Sequence, residues 1–141
     1  MNVSETWLFN GSSLASQVHA AAVNGHKRAL LKQISGNPDL KDKEDQFGRT
    51  PLMYCILADR LDCAEVLLKT GTDVDKADHS QRTALHLAAQ KILPILATDT
   101  PFKQWQMDIS KFICQRKKKS QELDINYCKM LKKEGVWVYH I

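Results

Sequence analysis

An eight-residue segment that returns after 33 positions constrains this chain more than any other feature. Asp45-Gln46-Phe47-Gly48-Arg49-Thr50-Pro51-Leu52 recurs as Asp78-His79-Ser80-Gln81-Arg82-Thr83-Ala84-Leu85. Asp, Arg, Thr and Leu keep one offset, and a small helix starter, Pro51 or Ala84, precedes the leucine. A period of this length marks a stack of supersecondary units, each burying its apolar face against the next. A weaker earlier unit fits as well: Val18 to Ile34 resembles Leu52 to Leu68, and Leu40 matches Val74.

The local chemistry predicts helix pairs. Thr50 can accept a bond from the free N–H groups of a first turn, and Pro51 needs no N–H there. Leu52, Cys55 and Ile56 then form an apolar face at helical spacing. Asp59 is read as the cap of a second helix carrying Cys63, Ala64, Val66, Leu67 and Leu68. Gly71 ends that helix by taking a left-handed conformation. The stretch from Asp73 to Asp78 and the tip Gln46-Phe47-Gly48 read as hairpin-like loops between units. Ser13, Gly25 and Gly36-Asn37-Pro38 play the capping, turning and terminating parts in the first unit. A generic bundle of four or five helices would satisfy the periodicity alone but leaves the doubled phase to chance.

Thr50-Pro51-Leu52 and Thr83-Ala84-Leu85-His86, at this period, resemble the helix start of the ankyrin-repeat family. The resemblance implies an all-α solenoid of helix-turn-helix units, incomplete at its C-terminal end. On that reading residues 1–12 are a leader and 13–91 hold about two and a half units, divided 13–44, 45–77 and a partial 78–91. Residues 92–141 form a basic non-repeat tail, either one or two helices or disordered. The runs Gly11 to Val23, Leu40 to Cys55 and His79 to Lys91 are more specifically similar to the amino-terminal ankyrin region of the nephrocystin scaffolds. That likeness implies a protein-binding module of a cilium-associated scaffold, with other nephrocystins and dishevelled as partners. It also implies restraint of Wnt signalling and roles in left–right axis and kidney development. The IQ segments that bind calmodulin in such scaffolds are absent from these residues, so calmodulin is not expected.

After Lys91 the pattern breaks. Pro94 stands near the place where a second helix should begin, and Thr98-Asp99-Thr100-Pro101 follows. The abrupt change suggests a short isoform or truncated product. The alternatives are a fragment with little or interfering function, and a basic nuclear regulator acting through the tail. Charge fits the division: residues 1–91 hold 11 Lys/Arg against 11 Asp/Glu, and residues 92–141 hold 9 against 5. A neutral body argues against nucleic acid as the partner of the repeats. Phe102, Trp105, Ile109, Phe112 and Ile113 recur at helical spacing and predict the apolar face of a tail helix. The basic patch Arg116-Lys117-Lys118-Lys119 could meet an anionic membrane surface, through the tail only.

No enzyme is expected, and no cofactor or metal. The glycines form no phosphate-binding loop, and the four cysteines lack the close pairs of a zinc site. Cys55, Cys63, Cys114 and Cys128 read as thiols of a reducing compartment. No signal peptide or transmembrane segment is evident, so the expected location is cytoplasmic, with ciliary, cytoskeletal or nuclear pools. In the ankyrin family the residue at His86 helps hold the helix start and loop together, which gives His86 and His19 structural roles. Gly48, Thr50, Pro51, Leu52, Gly71, Thr83, Leu85 and His86 are thus repeat-forming residues. Function in such a stack resides at loop tips and on the first helices. The candidate binding residues are Gln46, Phe47 and Arg49 in one loop, and His79, Ser80, Gln81 and Arg82 in the next. Phe47 has two open readings: a projecting anchor, or a ring folded back over its own unit.

Overall fold

The computed structural model describes residues 14–95, 97, 100–116 and 129. The regular elements among the described residues are helices, joined by turns and loops, and include no strand. Helices α1 (Leu14–Asn24) and α2 (Lys27–Gly36) form one antiparallel pair, and α3 (Pro51–Leu57) and α4 (Leu61–Lys69) the next. Helices α5 (Ala84–Ile92) and α6 (Pro101–Arg116) follow. Short 3-10 turns occupy Pro38–Asp42 and Leu93–Ile95. Helices α1, α3 and α5 pack side by side in an inner row, and α2, α4 and α6 in an outer one.

The helix starts follow from the repeated dipeptides. Thr50 is extended and faces the Met53 N–H at a long 3.5 Å, with Pro51 as the first helical residue. Thr83 takes the same extended conformation before α5, and its N–H donates to His86 Nδ1 at 2.9 Å. A third start, unmarked by the 33-residue period, repeats the chemistry. Thr100 Oγ1 accepts from the Lys103 N–H at 3.2 Å, and Pro101 begins α6. Proline excludes a helix running on from α5, but it favours a fresh one here.

The turns between inner and outer helices explain the break after Lys91. Gly25 closes the first at φ +72 and Asp59 the second at φ +59. Asp59 is therefore not the cap of α4. That position belongs to Arg60, which makes no side-chain capping bond, while Asp59 supplies the left-handed residue. The corresponding residue of the third unit is Ile92, which stays helical, and Leu93 continues right-handed at φ −52. β-Branched isoleucine is a poor left-handed residue, so the chain runs on and turns back later.

The tail helix then completes the third pair. It packs on α5 and α4 as α4 packs on α3 and α2. Its buried face is Gln106, Met107, Ile109, Ser110, Ile113 and Cys114. The apolar pattern predicted Phe102, Trp105 and Phe112 on that face with Ile109 and Ile113. Phe102 and Trp105 are each 39% exposed, and Phe112 is half-buried. The shift has a physical reason: two polar residues in the seat donate hydrogen bonds inside the stack. Ser110 Oγ donates to the Gln106 carbonyl at 3.0 Å, and Gln106 Nε2 donates to Asp59 Oδ1 at 3.2 Å. Lys91 Nζ meets the other oxygen of Asp59 at 3.1 Å. One carboxylate in the second turn thus joins α5 and α6 to the stack.

One apolar core runs through all three pairs, from Val18 and Leu30 through Leu52, Ile56, Leu67 and Leu85 to Met107 and Ile113. Cys55, Cys63 and Cys114 are buried in it, and burial pushes the Cys55 thiol up, keeping it protonated. Polar bonds fix the register between units. Arg60 Nε donates to the Val23 carbonyl at 3.0 Å, and the Asp73 N–H donates to Asp42 Oδ1 at 2.7 Å. The Ser13 cap and Cys128 lie outside the described residues.

Candidate functional site

The two loop tips are built by the same hydrogen bonds. In the first, the Asp45 N–H donates to the Arg49 carbonyl and the Gly48 N–H to the Asp45 carbonyl. In the second, Asp78 pairs with Arg82 and Gln81 with Asp78 in the same way. Each aspartate then folds into its own turn. Asp45 Oδ1 accepts from the N–H groups of Phe47 and Arg49, both at 2.9 Å. Asp78 Oδ1 accepts from those of Ser80 and Arg82, also at 2.9 Å. The Asp, Arg and Thr of the repeated segment are therefore the residues that close the turn and start the helix.

The tips are joined to each other and to the inner helices. The His79 N–H donates to the Phe47 carbonyl at 2.9 Å. Gly48 makes that approach feasible: it sits at φ +75, and a Cβ there would lie 3.0 Å from the His79 nitrogen. Gln81, at the same position of the next tip, adopts φ +63 despite its side chain. His19 of α1 reaches up to the first tip. Its Nε2 lies 2.9 Å from the Lys43 carbonyl and 3.0 Å from the Arg49 carbonyl, which requires the proton on that nitrogen.

These bonds bring the seven candidate binding residues onto two adjoining tips. Gln46, His79, Ser80 and Gln81 are exposed, whereas Phe47, Arg49 and Arg82 are half-buried. Phe47 neither projects freely nor folds into the core. Its ring carries the Arg49 guanidinium, 5.2 Å from the ring centre, and the same guanidinium lies 5.7 Å from the centre of the Tyr54 ring. The repeat-forming residues lie behind: Leu52 and Leu85 in the core, Thr50, Pro51, Thr83 and His86 at helix starts, and Gly71 at φ +86 after α4.

The electrostatics of the two tips differ. Asp78 Oδ2 accepts from Arg82 Nε at 3.2 Å and lies 3.1 Å from its Nη2. Burial alone would raise the Asp78 pKa. Backbone N–H donors from Arg82 and Ser80, and the Arg82 charge, outweigh it and hold the carboxyl below its usual value. In the first tip, the Tyr54 hydroxyl donates to Asp45 Oδ2 instead. Burial foremost, then Asp45, pushes that hydroxyl well above its ordinary pKa, so it remains a donor. Tyr54 was missed as a site residue, although one signal marks it: Leu87 stands 33 residues later, so the tyrosine breaks the repeat at a core position.

The basic patch is described only at Arg116; Lys117, Lys118 and Lys119 lie outside the described residues. The Arg116 guanidinium covers Phe112 at 5.0 Å and borders an open cleft of about 440 Å³ with Lys41, Asp42, Thr72, Asp73 and Asp75. Among the described residues no group of three His, Cys, Asp or Glu could hold a metal ion. No helix there is long and apolar enough to cross a membrane.

A family model described as ankyrin repeats, in three copies, matches residues 18–101. The chain belongs to the ankyrin-repeat family. Inversin from Homo sapiens is 79% identical over 91 residues, which is 64% of this chain and 8% of that protein. Inversin from Gallus gallus is 76% identical over the same length and the same shares. NF-kappa-B inhibitor alpha from Gallus gallus is 30% identical over 77 residues, 52% of this chain and 24% of that protein. The chain thus spans about 8% of the length of the inversins it matches and carries an inversin-like ankyrin domain. An ankyrin stack is a non-catalytic module for protein–protein interaction.

Proposed function

We propose that this ankyrin domain binds protein partners along the edge formed by its two loop tips, through Gln46, Phe47, Arg49, His79, Ser80, Gln81 and Arg82. The observation that carries the reading is the bond from the His79 N–H to the Phe47 carbonyl, with Gly48 beneath it. It holds neighbouring tips in fixed register, so their side chains meet a partner as one preorganised surface and little ordering entropy is lost on binding. Phe47 and the Arg49 guanidinium over its ring supply an aromatic and a cationic contact of the kind that dominates interfaces. Likeness to inversin supports the finer reading: other nephrocystins and dishevelled as partners, a place at the primary cilium, and restraint of Wnt signalling.

The test is a binding titration of the purified chain against a nephrocystin and against dishevelled, each isolated. A variant carrying Phe47→Ala and Ser80→Glu together should bind at least about tenfold more weakly, with its thermal unfolding nearly unchanged. Full affinity in that variant would place the site elsewhere on the stack.

A further inference from the structure

Arg49 and Arg82 occupy one position of the repeat, yet their surroundings are opposite. Arg82 is neutralised by the Asp78 carboxylate. Arg49 has no carboxylate partner among the described residues, because the Tyr54 hydroxyl occupies the oxygen of Asp45 that would correspond. Its Nε–H is buried without a hydrogen-bond partner among the described residues. The guanidinium lies over the rings of Phe47 and Tyr54, 5.2 and 5.7 Å from their centres, a contact that attracts its charge but supplies no carboxylate. Leu87 has no hydroxyl to do the same in the second tip.

We infer that Arg49 receives a single carboxylate from an otherwise neutral segment of a partner protein, and that Tyr54 keeps it available by occupying Asp45. The inference rests on the tip edge being the binding face and narrows that reading to one partner chemistry. A planar guanidinium with no carboxylate partner among the described residues matches a carboxylate in paired geometry. The charges around it are mixed: Glu44, which lies 3.7 Å from Lys76, and Asp45 and Asp78 lie close by in the same loops. Such surroundings suit one carboxylate in an otherwise neutral segment and disfavour a polyphosphate, which needs a field of one sign. Exposed Gln46, Ser80 and Gln81 beside it offer donors and acceptors for the backbone of that segment.

The experiment follows the side-chain Nε–H and backbone amide resonances of the ¹⁵N-labelled full chain. The probes are a capped peptide with one glutamate among serines and glycines, its glutamine counterpart, and tripolyphosphate. The glutamate peptide should shift Arg49 Nε–H and the amides from Gln46 to Gly48 saturably, and the glutamine peptide should bind about tenfold more weakly. Tyr54→Phe should cause a similar loss although Arg49 is untouched, because Asp45 can then pair with Arg49 as Asp78 pairs with Arg82. Arg49→Gln provides the same loss through a half-buried substitution outside the core, should the tyrosine variant fold poorly. An unmoved Arg49 Nε–H would overturn the inference. Amide shifts at Gln46 and Ser80 with Arg49 silent would do so too, while leaving the edge as a binding face. Undiminished binding by a folded Tyr54→Phe chain would overturn the part given to Tyr54, and a stronger response to tripolyphosphate would overturn the partner class.

Discussion

Gly48 and Gln81 occupy the same position in two copies of one turn, both with positive φ, and differ in what surrounds them. Left-handed backbone costs a residue with a Cβ about 1–2 kcal/mol. Gly48→Ala should exceed that range, because its new methyl would also crowd the His79 backbone at 3.0 Å. Gln81→Gly should instead raise stability by up to about 1 kcal/mol. Urea unfolding of both variants measures the pair, and equal effects of opposite sign would show that the His79 contact adds nothing. Asp78 gives a pH-dependent prediction at the same scale. Its folded pKa lies below the ordinary 3.8, so its stabilising contribution is complete above that value and disappears as pH falls through the folded one. Asp78→Asn should therefore weaken the chain most at neutral pH, and the gap to the parent should narrow in acid, as read from urea midpoints across that range. The repeated segment made both aspartates legible as turn formers. It could not reveal that Tyr54 diverts one of them, since that depends on a hydroxyl nine residues away reaching back over the turn.

Among the elements, α6 is where apolar spacing misled. Counting hydrophobic residues puts Phe102 and Trp105 inward, yet the stack takes Gln106 and Ser110 fully buried in their place. A buried amide is tolerated only with a partner, and Asp59 is such a partner only once the second turn has folded. Ile113→Ala should cost about 2–4 kcal/mol, since the side chain is fully enclosed. Trp105→Ala, on a side chain 39% exposed, should cost much less. Thermal or urea unfolding of the two variants distinguishes the faces, and a larger loss at Trp105 would mean that the helix sits in the other phase.

In the whole molecule, a stack gains its stability from neighbours, and about three units are the usual minimum. Among the described residues, removing α6 leaves two pairs and a bare inner helix; with it, three inner helices each have an outer partner. Removing residues 100–141 should therefore speed hydrogen exchange in α5 and α4 by tenfold or more, roughly, with α1 and α2 less affected. Unchanged exchange in the shortened chain would show that the first five helices hold themselves together. Sequence alone determined the repeat: its period, the Thr-Pro and Thr-Ala helix starts, the tip residues and the family they signal. Those features are local, each written in a few adjacent residues whose backbone geometry has little choice. Among the described residues, tertiary structure decided where the helix after Lys91 packs and which arginine is left without a carboxylate. Both turn on contacts between residues far apart in the chain, Gln106 with Asp59 and α6 with α4, and on a competition between Tyr54 and Arg49 for one oxygen of Asp45. Spacing along a sequence does not encode which partner reaches a shared acceptor first; only the packed positions of the side chains do.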